Sequence, residues 1–171
     1  IEPSARGELE ITDALQWLIE QSLAVDHCIL DGWWIDTGKK DPLLECNRLV
    51  LGTIKTGISS EANIDSTSVI KGPVRIGTGS SIMNSTIVGP VVIGENTTIT
   101  DSQIGPYASV GDGCSIFAVN LDDSVLLKNC SLDQAGRITS SLLGRSSKIT
   151  GVASATTTSL MLGHDSVGEL R

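Results

Sequence analysis

The chain has 171 residues and carries 20 acidic side chains against 12 Lys and Arg, for a net charge of -8; its rings number one Phe, one Tyr and three Trp. No basic run or stripe is available to neutralise phosphates, which argues against a nucleic-acid partner, and no apolar stretch approaches the length needed to cross a membrane. The four cysteines, Cys28, Cys46, Cys114 and Cys130, are scattered without zinc spacing, the pattern of reduced thiols in a cytoplasmic protein. Ile1 is not a natural initiator, so a trimmed start is expected.

Residues 1–57 read as a small α+β segment. Asp13 can cap a helix with Gln16 three residues on, and Leu15, Leu18, Ile19 and Leu23 give that helix one apolar face ending near Ser22. Residues 25–30 and 33–35 flank Asp31-Gly32, the strongest hairpin signal in the chain. A second helix starts with Asp41 as cap and Pro42 at its first position, places Leu43, Val50 and Leu51 on one side, and stops at Gly52. This helix, hairpin and helix are too few and too one-sided to make a core alone, so their apolar faces are expected to belong to something upstream.

From residue 58 onward the pattern changes. Three columns of aliphatic residues return about every seventeen positions: Ile70, Ile87, Ile104, Leu121 and Ile138; Ile76, Ile93, Val110, Leu127 and Leu143; and Ile64, Ile82, Ile99, Ile116, Leu132 and Ile149. Members of different columns lie five or six residues apart, too far for a helical face and too regular for alternating strands. That is the hexapeptide period of a parallel β-helix. Small corner residues follow the aliphatic ones in Ile76-Gly77, Val88-Gly89-Pro90, Ile93-Gly94, Ile104-Gly105-Pro106 and Val110-Gly111, and the intervening Ser, Thr and Asn can hydrogen-bond turn backbone or stack between coils. Five to six coils of about 4.8 Å each predict a rod on the order of 25–30 Å long. Between Ile82 and Ile99 the only charge is Glu95, which suits a self-associating face, with a trimer favoured.

The stretches Pro3-Ser4-Ala5-Arg6-Gly7-Glu8-Leu9-Glu10-Ile11-Thr12-Asp13, Gly32-Trp33-Trp34-Ile35-Asp36-Thr37-Gly38 and Leu43-Leu44-Glu45-Cys46-Asn47-Arg48 resemble the glucose-1-phosphate thymidylyltransferases. With the added hexapeptide domain, the chain is similar to the C-terminal part of their long form. The resemblance covers nearly the whole chain and implies that the coil is left-handed, so the fold class expected is mainly β, a left-handed parallel β-helix over residues 58–171 preceded by the remainder of a nucleotidyltransferase domain over residues 1–57.

The resemblance also implies the chemistry. The phosphate of glucose 1-phosphate attacks the α-phosphorus of dTTP and pyrophosphate leaves, a reaction that needs magnesium, basic side chains and amides to hold two polyanions in line. Asp36 matches one carboxylate ligand of the magnesium, Arg6 the arginine that reaches the substrate phosphate, and Trp34 an aromatic lining the same region. Without the resemblance, Asp36 is a turn former, Arg6 a solvated charge, the tryptophans are core or domain contacts, and the pair Lys39-Lys40 is solubilising. The family's Gly-x-Gly-x-Arg nucleotide loop, activating lysine, second metal carboxylate and sugar-reading Glu-Lys pair are not among these residues, so no catalytic set is complete here and the chain alone is expected to be inactive.

Hexapeptide coils also occur in acyltransferases and carbonic anhydrases, so the repeat by itself does not fix a function. An acetyl-CoA-dependent acyltransferase acting on an amino-sugar phosphate needs a histidine as general base. His27 lies in the predicted hairpin, which leaves His164 in the tail as the candidate.

Overall fold

The computed structural model describes residues 1–151 and 157–170 and divides into two compact units, Ile1–Trp34 and Ile35–Arg171. In the first unit, α1 spans Ile11–Glu20. Its N-cap is Glu10, with Asp13 in the first turn, so the helix starts three residues earlier than a cap at Asp13 predicts. An acidic side chain there still suits the positive helix end. None of its residues is buried; Leu15, Trp17 and Ile19 are all exposed. The predicted hairpin does not form: residues 23–31 and 33–37 enter no strand ladder, and Trp33 and Trp34 are exposed. A two-stranded ribbon is marginal without a third strand or a packed face, and this unit offers neither.

The second unit opens with α2, Lys40–Leu51, capped by Lys39 and closed at Gly52. Asp41 and Pro42 therefore sit in its first turn, two positions deeper than expected. Leu44 and Leu51 are its buried residues.

The rest of this unit is a parallel β-solenoid with three strand-bearing faces. The first face stacks seven strands among the described residues: Gly57–Ile58, Val74–Ile76, Val91–Ile93, Ala108–Val110, Val125–Leu126, Leu142–Leu143 and Met161–Leu162. The second runs from Asn63–Ile64 through Ser81–Met83, Thr98–Thr100, Ser115–Leu121, Ser131–Ile138 and Lys148–Gly151 to Val167–Leu170. The third carries Val69–Lys71, Thr86–Val88 and Gln103–Ile104, then the far halves of Ser115–Leu121 and Ser131–Ile138, and finally Thr157–Thr158.

Two of the predicted columns are reproduced in register. Ile64, Ile82, Ile99, Ile116, Leu132 and Ile149 are successive partners on the second face, and Ile70, Ile87, Ile104, Leu121 and Ile138 on the third. The first face differs at one place: Val110 pairs with Leu126, not Leu127, and Leu126 pairs with Leu143. That turn is one residue shorter, and Leu127 points out, 41% exposed. In a pleated strand a shift of one residue reverses the facing, so only one of two adjacent leucines can fill the core.

Corners obey the same stacking. A Cβ on Gly111 would lie 2.8 Å from the backbone of Leu127 and Lys128 in the next turn, so only glycine allows that approach. Inside the corners runs a ladder of small donors. The hydroxyls of Ser80 and Thr97 donate to the carbonyls of Gly94 and Gly111 at 2.7 and 2.9 Å. The thiols of Cys114 and Cys130 donate to Leu127 and Gly144 at 3.2 and 3.1 Å, and Ser147 continues to Gly163 at 3.0 Å. Each of these corner carbonyls is thus given a partner by the turn before it, and no buried side-chain nitrogen or oxygen lacks one among the described residues.

Ile99 is fully buried at the middle of its column. Replacing it with Ala removes about 2–5 kcal/mol of stability, through lost burial plus an unfilled cavity between stacked neighbours. Chemical denaturation of Ile99→Ala beside Val167→Ala, whose parent side chain is 80% exposed, checks this, the second variant being near neutral.

Asp65 supplies an acid-sensitive contact in an early turn. Its carboxylate accepts from the Ser68 hydroxyl and amide at 2.6 and 2.8 Å, the Thr67 hydroxyl at 2.7 Å and the Asn84 amide at 3.1 Å. Hydrogen bonds from Ser68 and Thr67 pull its pKa down to about 2. A depressed carboxyl stabilises the fold above the ordinary aspartate pKa and loses that contribution as the pH falls through the folded value, here between about 4 and 2. Carbon NMR titration of Asp65 should give a midpoint near 2, moving up in Ser68→Ala.

Candidate functional site

Asp36 lies in the short run ahead of α2. Its Oδ1 accepts the Gly38 amide at 2.9 Å, an Asx turn that fixes the carboxylate to its own backbone. A Cβ on Gly38 would stand 3.2 Å from that oxygen, so the glycine keeps the turn uncrowded. The residue is exposed, and among the described residues no partner engages Oδ2. One carboxylate with a free oxygen is the share a protein commonly gives a magnesium ion, whose other positions go to phosphate and water. No cluster of three or more His, Cys, Asp or Glu that could hold a metal ion converges among the described residues, and Asp36 stands alone with one oxygen open.

Arg6 belongs to the first unit. Its Nε and Nη2 donate to Glu10 Oε1 at 3.1 and 2.7 Å, while Ser4 Oγ donates to the same oxygen at 2.9 Å. These bonds, from Arg6 first and Ser4 second, hold the Glu10 carboxyl below the usual glutamate range. Glu10 is thus the residue that orients Arg6. Reading Arg6 alone misses it, because the two side chains are brought together by the turn ahead of α1 and not by a helical face. With 72% of its side chain exposed, Arg6 still presents guanidinium hydrogens to solvent and to any phosphate that docks there. Trp34, 75% exposed, closes the same unit.

His164 sits at the far end of the solenoid, on the rim of an apolar groove of about 240 Å³ lined by Leu43, Leu127, Leu142, Met161 and Leu162. Its Nδ1 accepts the Arg145 amide at 2.9 Å. In the neutral ring that bond places the proton on Nε2, so the outward nitrogen is a donor and has no lone pair with which to act as a base. Within the first unit no hydrogen bond joins Arg6 to Trp34, and within the second none joins Asp36 to His164, among the described residues.

The lysine pair divides. Lys40 Nζ donates to Ser159 Oγ at 3.0 Å, so this lysine ties α2 to the solenoid where a purely solvated role was expected.

The four thiols also separate by environment. Cys28 is exposed and Cys46 half-buried, whereas Cys114 and Cys130 are buried in the donor ladder. The neighbouring Cys130 and burial push the Cys114 thiol far up, which keeps it protonated. Iodoacetamide labelling with peptide mass mapping should modify Cys28 first and reach Cys114 and Cys130 only after denaturant is added.

No family model matches the chain. Over 150 residues, 88% of its length, it is 41% identical to the glucose-1-phosphate thymidylyltransferase of Streptomyces antibioticus. It is 44% identical over 151 residues to the low-salt glycan biosynthesis nucleotidyltransferase Agl11 of Haloferax volcanii. In both cases it spans 42% of the relative's own length. A shorter match of 82 residues, at 40% identity, joins it to the bifunctional protein GlmU of Methanococcus aeolicus, covering 48% of this chain and 19% of that one. Among solved structures, a hexapeptide transferase family protein from Anaplasma phagocytophilum superposes with a TM-score of 0.53 at 18% identity, over 68% of this chain and 70% of the other, a likeness of fold alone. Among the described residues no helix is long and apolar enough to cross a membrane.

Proposed function

Because the chain is a relative of the glucose-1-phosphate thymidylyltransferases over 88% of its length, we propose that it forms the C-terminal part of a sugar-1-phosphate nucleotidylyltransferase. On this reading, the enzyme joins dTTP and glucose 1-phosphate into dTDP-glucose and releases pyrophosphate. The observation that carries the proposal is the 41–44% identity to nucleotidyltransferases, taken with the ordered motifs around Arg6 and Asp36.

In the reaction, a phosphate oxygen of the sugar 1-phosphate forms a bond to the α-phosphorus of the triphosphate as the bond from that phosphorus to the β-bridging oxygen breaks. Bound magnesium would neutralise charge on the triphosphate. Asp36 would hold the metal through Oδ2, its other oxygen being held by the Gly38 amide. Arg6, braced by Glu10, would fix the sugar phosphate so that its oxygen attacks in line, and Trp34 would cover the same region. The triphosphate cradle would come from a preceding domain, which makes this chain inactive when isolated.

The solenoid is assigned an assembling or regulating role, with a homotrimer formed through its faces as the favoured arrangement. Acyl transfer is the less favoured reading, since it needs an accepting imidazole and His164 offers a donor.

Pyrophosphate release from dTTP, glucose 1-phosphate and magnesium tests the proposal. The longer protein carrying this chain should be active, the 171-residue chain should not, and Asp36→Ala in the longer protein should lower kcat by about a hundredfold or more. Activity that survives Asp36→Ala intact removes Asp36 from the metal site.

A further inference from the structure

Helix α2 does more than connect Asp36 to the solenoid, because polar contacts bind it to several successive turns. At its start Lys40 reaches Ser159. Near its end Asn47 Nδ2 donates to the Tyr107 carbonyl at 3.1 Å, and its Oδ1 accepts the Ser109 hydroxyl at 2.6 Å. Between these levels Arg48 meets Asp123 in a two-pronged pair, Nε to Oδ1 and Nη2 to Oδ2, both at 2.6 Å. Ser140 of the adjoining turn donates to Oδ2 of the same aspartate at 2.9 Å. The fork matches a guanidinium to a carboxylate in one orientation, so it fixes rotation of the helix as well as distance.

The electrostatics agree with a formed pair. Burial raises the Asp123 carboxyl, but the hydrogen bonds from Arg48 and Ser140 outweigh it and leave the group below its ordinary value, while Arg48 is raised by Asp123. The corner that presents Asp123 is itself specialised. Asp123 has φ +45°, a left-handed turn that aims its side chain at α2, while the preceding Asp122 takes Arg137 and Thr139 instead.

Asp36 precedes the first residue of α2 by four positions, and its Asx turn to Gly38 leaves little slack in between. We propose that Arg48 and Asp123 are positioning residues for the Asp36 carboxylate: their ion pair locks α2 on the solenoid, so the solenoid sets where Asp36 stands when metal binds. This rests on the assignment of Asp36 as a metal carboxylate in the preceding section. The solenoid then acts on the chemistry through a named contact, in addition to any part in assembly.

The test uses the longer protein with Asp123→Ala, the shape-conserving Asp123→Asn, Arg48→Ala, the double Arg48→Ala/Asp123→Ala and, as control, Asp122→Asn. Two quantities are read: amide hydrogen exchange over residues 36–51, and the magnesium concentration giving half-maximal rate. Each clamp variant should speed exchange about tenfold and raise the magnesium requirement several-fold, with the double variant no worse than a single one and the control unchanged. Faster exchange with an unaltered magnesium requirement would reduce the pair to a structural contact and overturn the proposal, as would unchanged exchange. Asp36→Ala, assayed alongside, separates the two readings: if it keeps full activity the metal assignment fails, whatever the exchange data show for the clamp.

Discussion

Everything in the second unit depends on one constraint, the hydrogen-bond spacing between parallel strands of successive turns. Neighbouring strands stand about 4.8 Å apart, and every turn must repeat that step on three faces at once. Each inward position then receives a near-copy of the side chain below it. Ile82, Ile99 and Ile116 stack in register on this step, and Leu132 continues the same column. The corners feel the same limit more sharply, and the Gly111 backbone lies where any Cβ would strike the next turn. A chain with a single Phe and a single Tyr suits a prism of this kind, which has little room for rings.

The same spacing explains the buried thiols. A corner carbonyl facing inward must find a donor within one turn, and the donor must be small. Ser, Thr and Cys all qualify, so Cys114 and Cys130 stand in the ladder between Thr97 and Ser147 as hydrogen-bond donors. Their proximity follows from the stacking and needs no redox role. Charge is handled by the same logic on the outside. Asp112 pairs with Lys128 at 2.7 Å and Asp122 with Arg137 at 3.0 Å, each across adjoining turns. Such exposed pairs contribute little energy singly, but they relieve repulsion on a surface of net charge -8.

Much of this was legible because a stacked coil writes its geometry into the sequence at a fixed period. Where the period is ambiguous, legibility stops. Leu126 and Leu127 are both aliphatic, the turn is one residue short, and only pairing with Val110 shows which of them faces in. The hairpin was misread for a different reason: Asp31-Gly32 is a genuine local turn signal, but strands need partners, and residues 23–31 and 33–37 have none among the described residues. Of the candidate site, Arg6 and Asp36 came from motifs, while the Arg6–Glu10 pair depends on the turn before α1, which no local periodicity marks. The Arg48–Asp123 pair was not, since its members lie 75 residues apart and nothing local marks either as the other's partner.

The solenoid cannot declare a chemistry, because its regularity spends most positions on stacking. Catalytic groups must be hung on it or held beside it. A transferase using this scaffold for acyl transfer would need an imidazole with a free lone pair, and the tail histidine has turned that lone pair to the Arg145 amide. What the scaffold does supply is a rigid frame along which α2 is fastened at three levels, by Lys40, by Arg48 and by Asn47. A carboxylate placed just before such a helix inherits that rigidity. Asp36 stands four residues ahead of α2 in the chain, and the helix is fastened to the repeat that follows it.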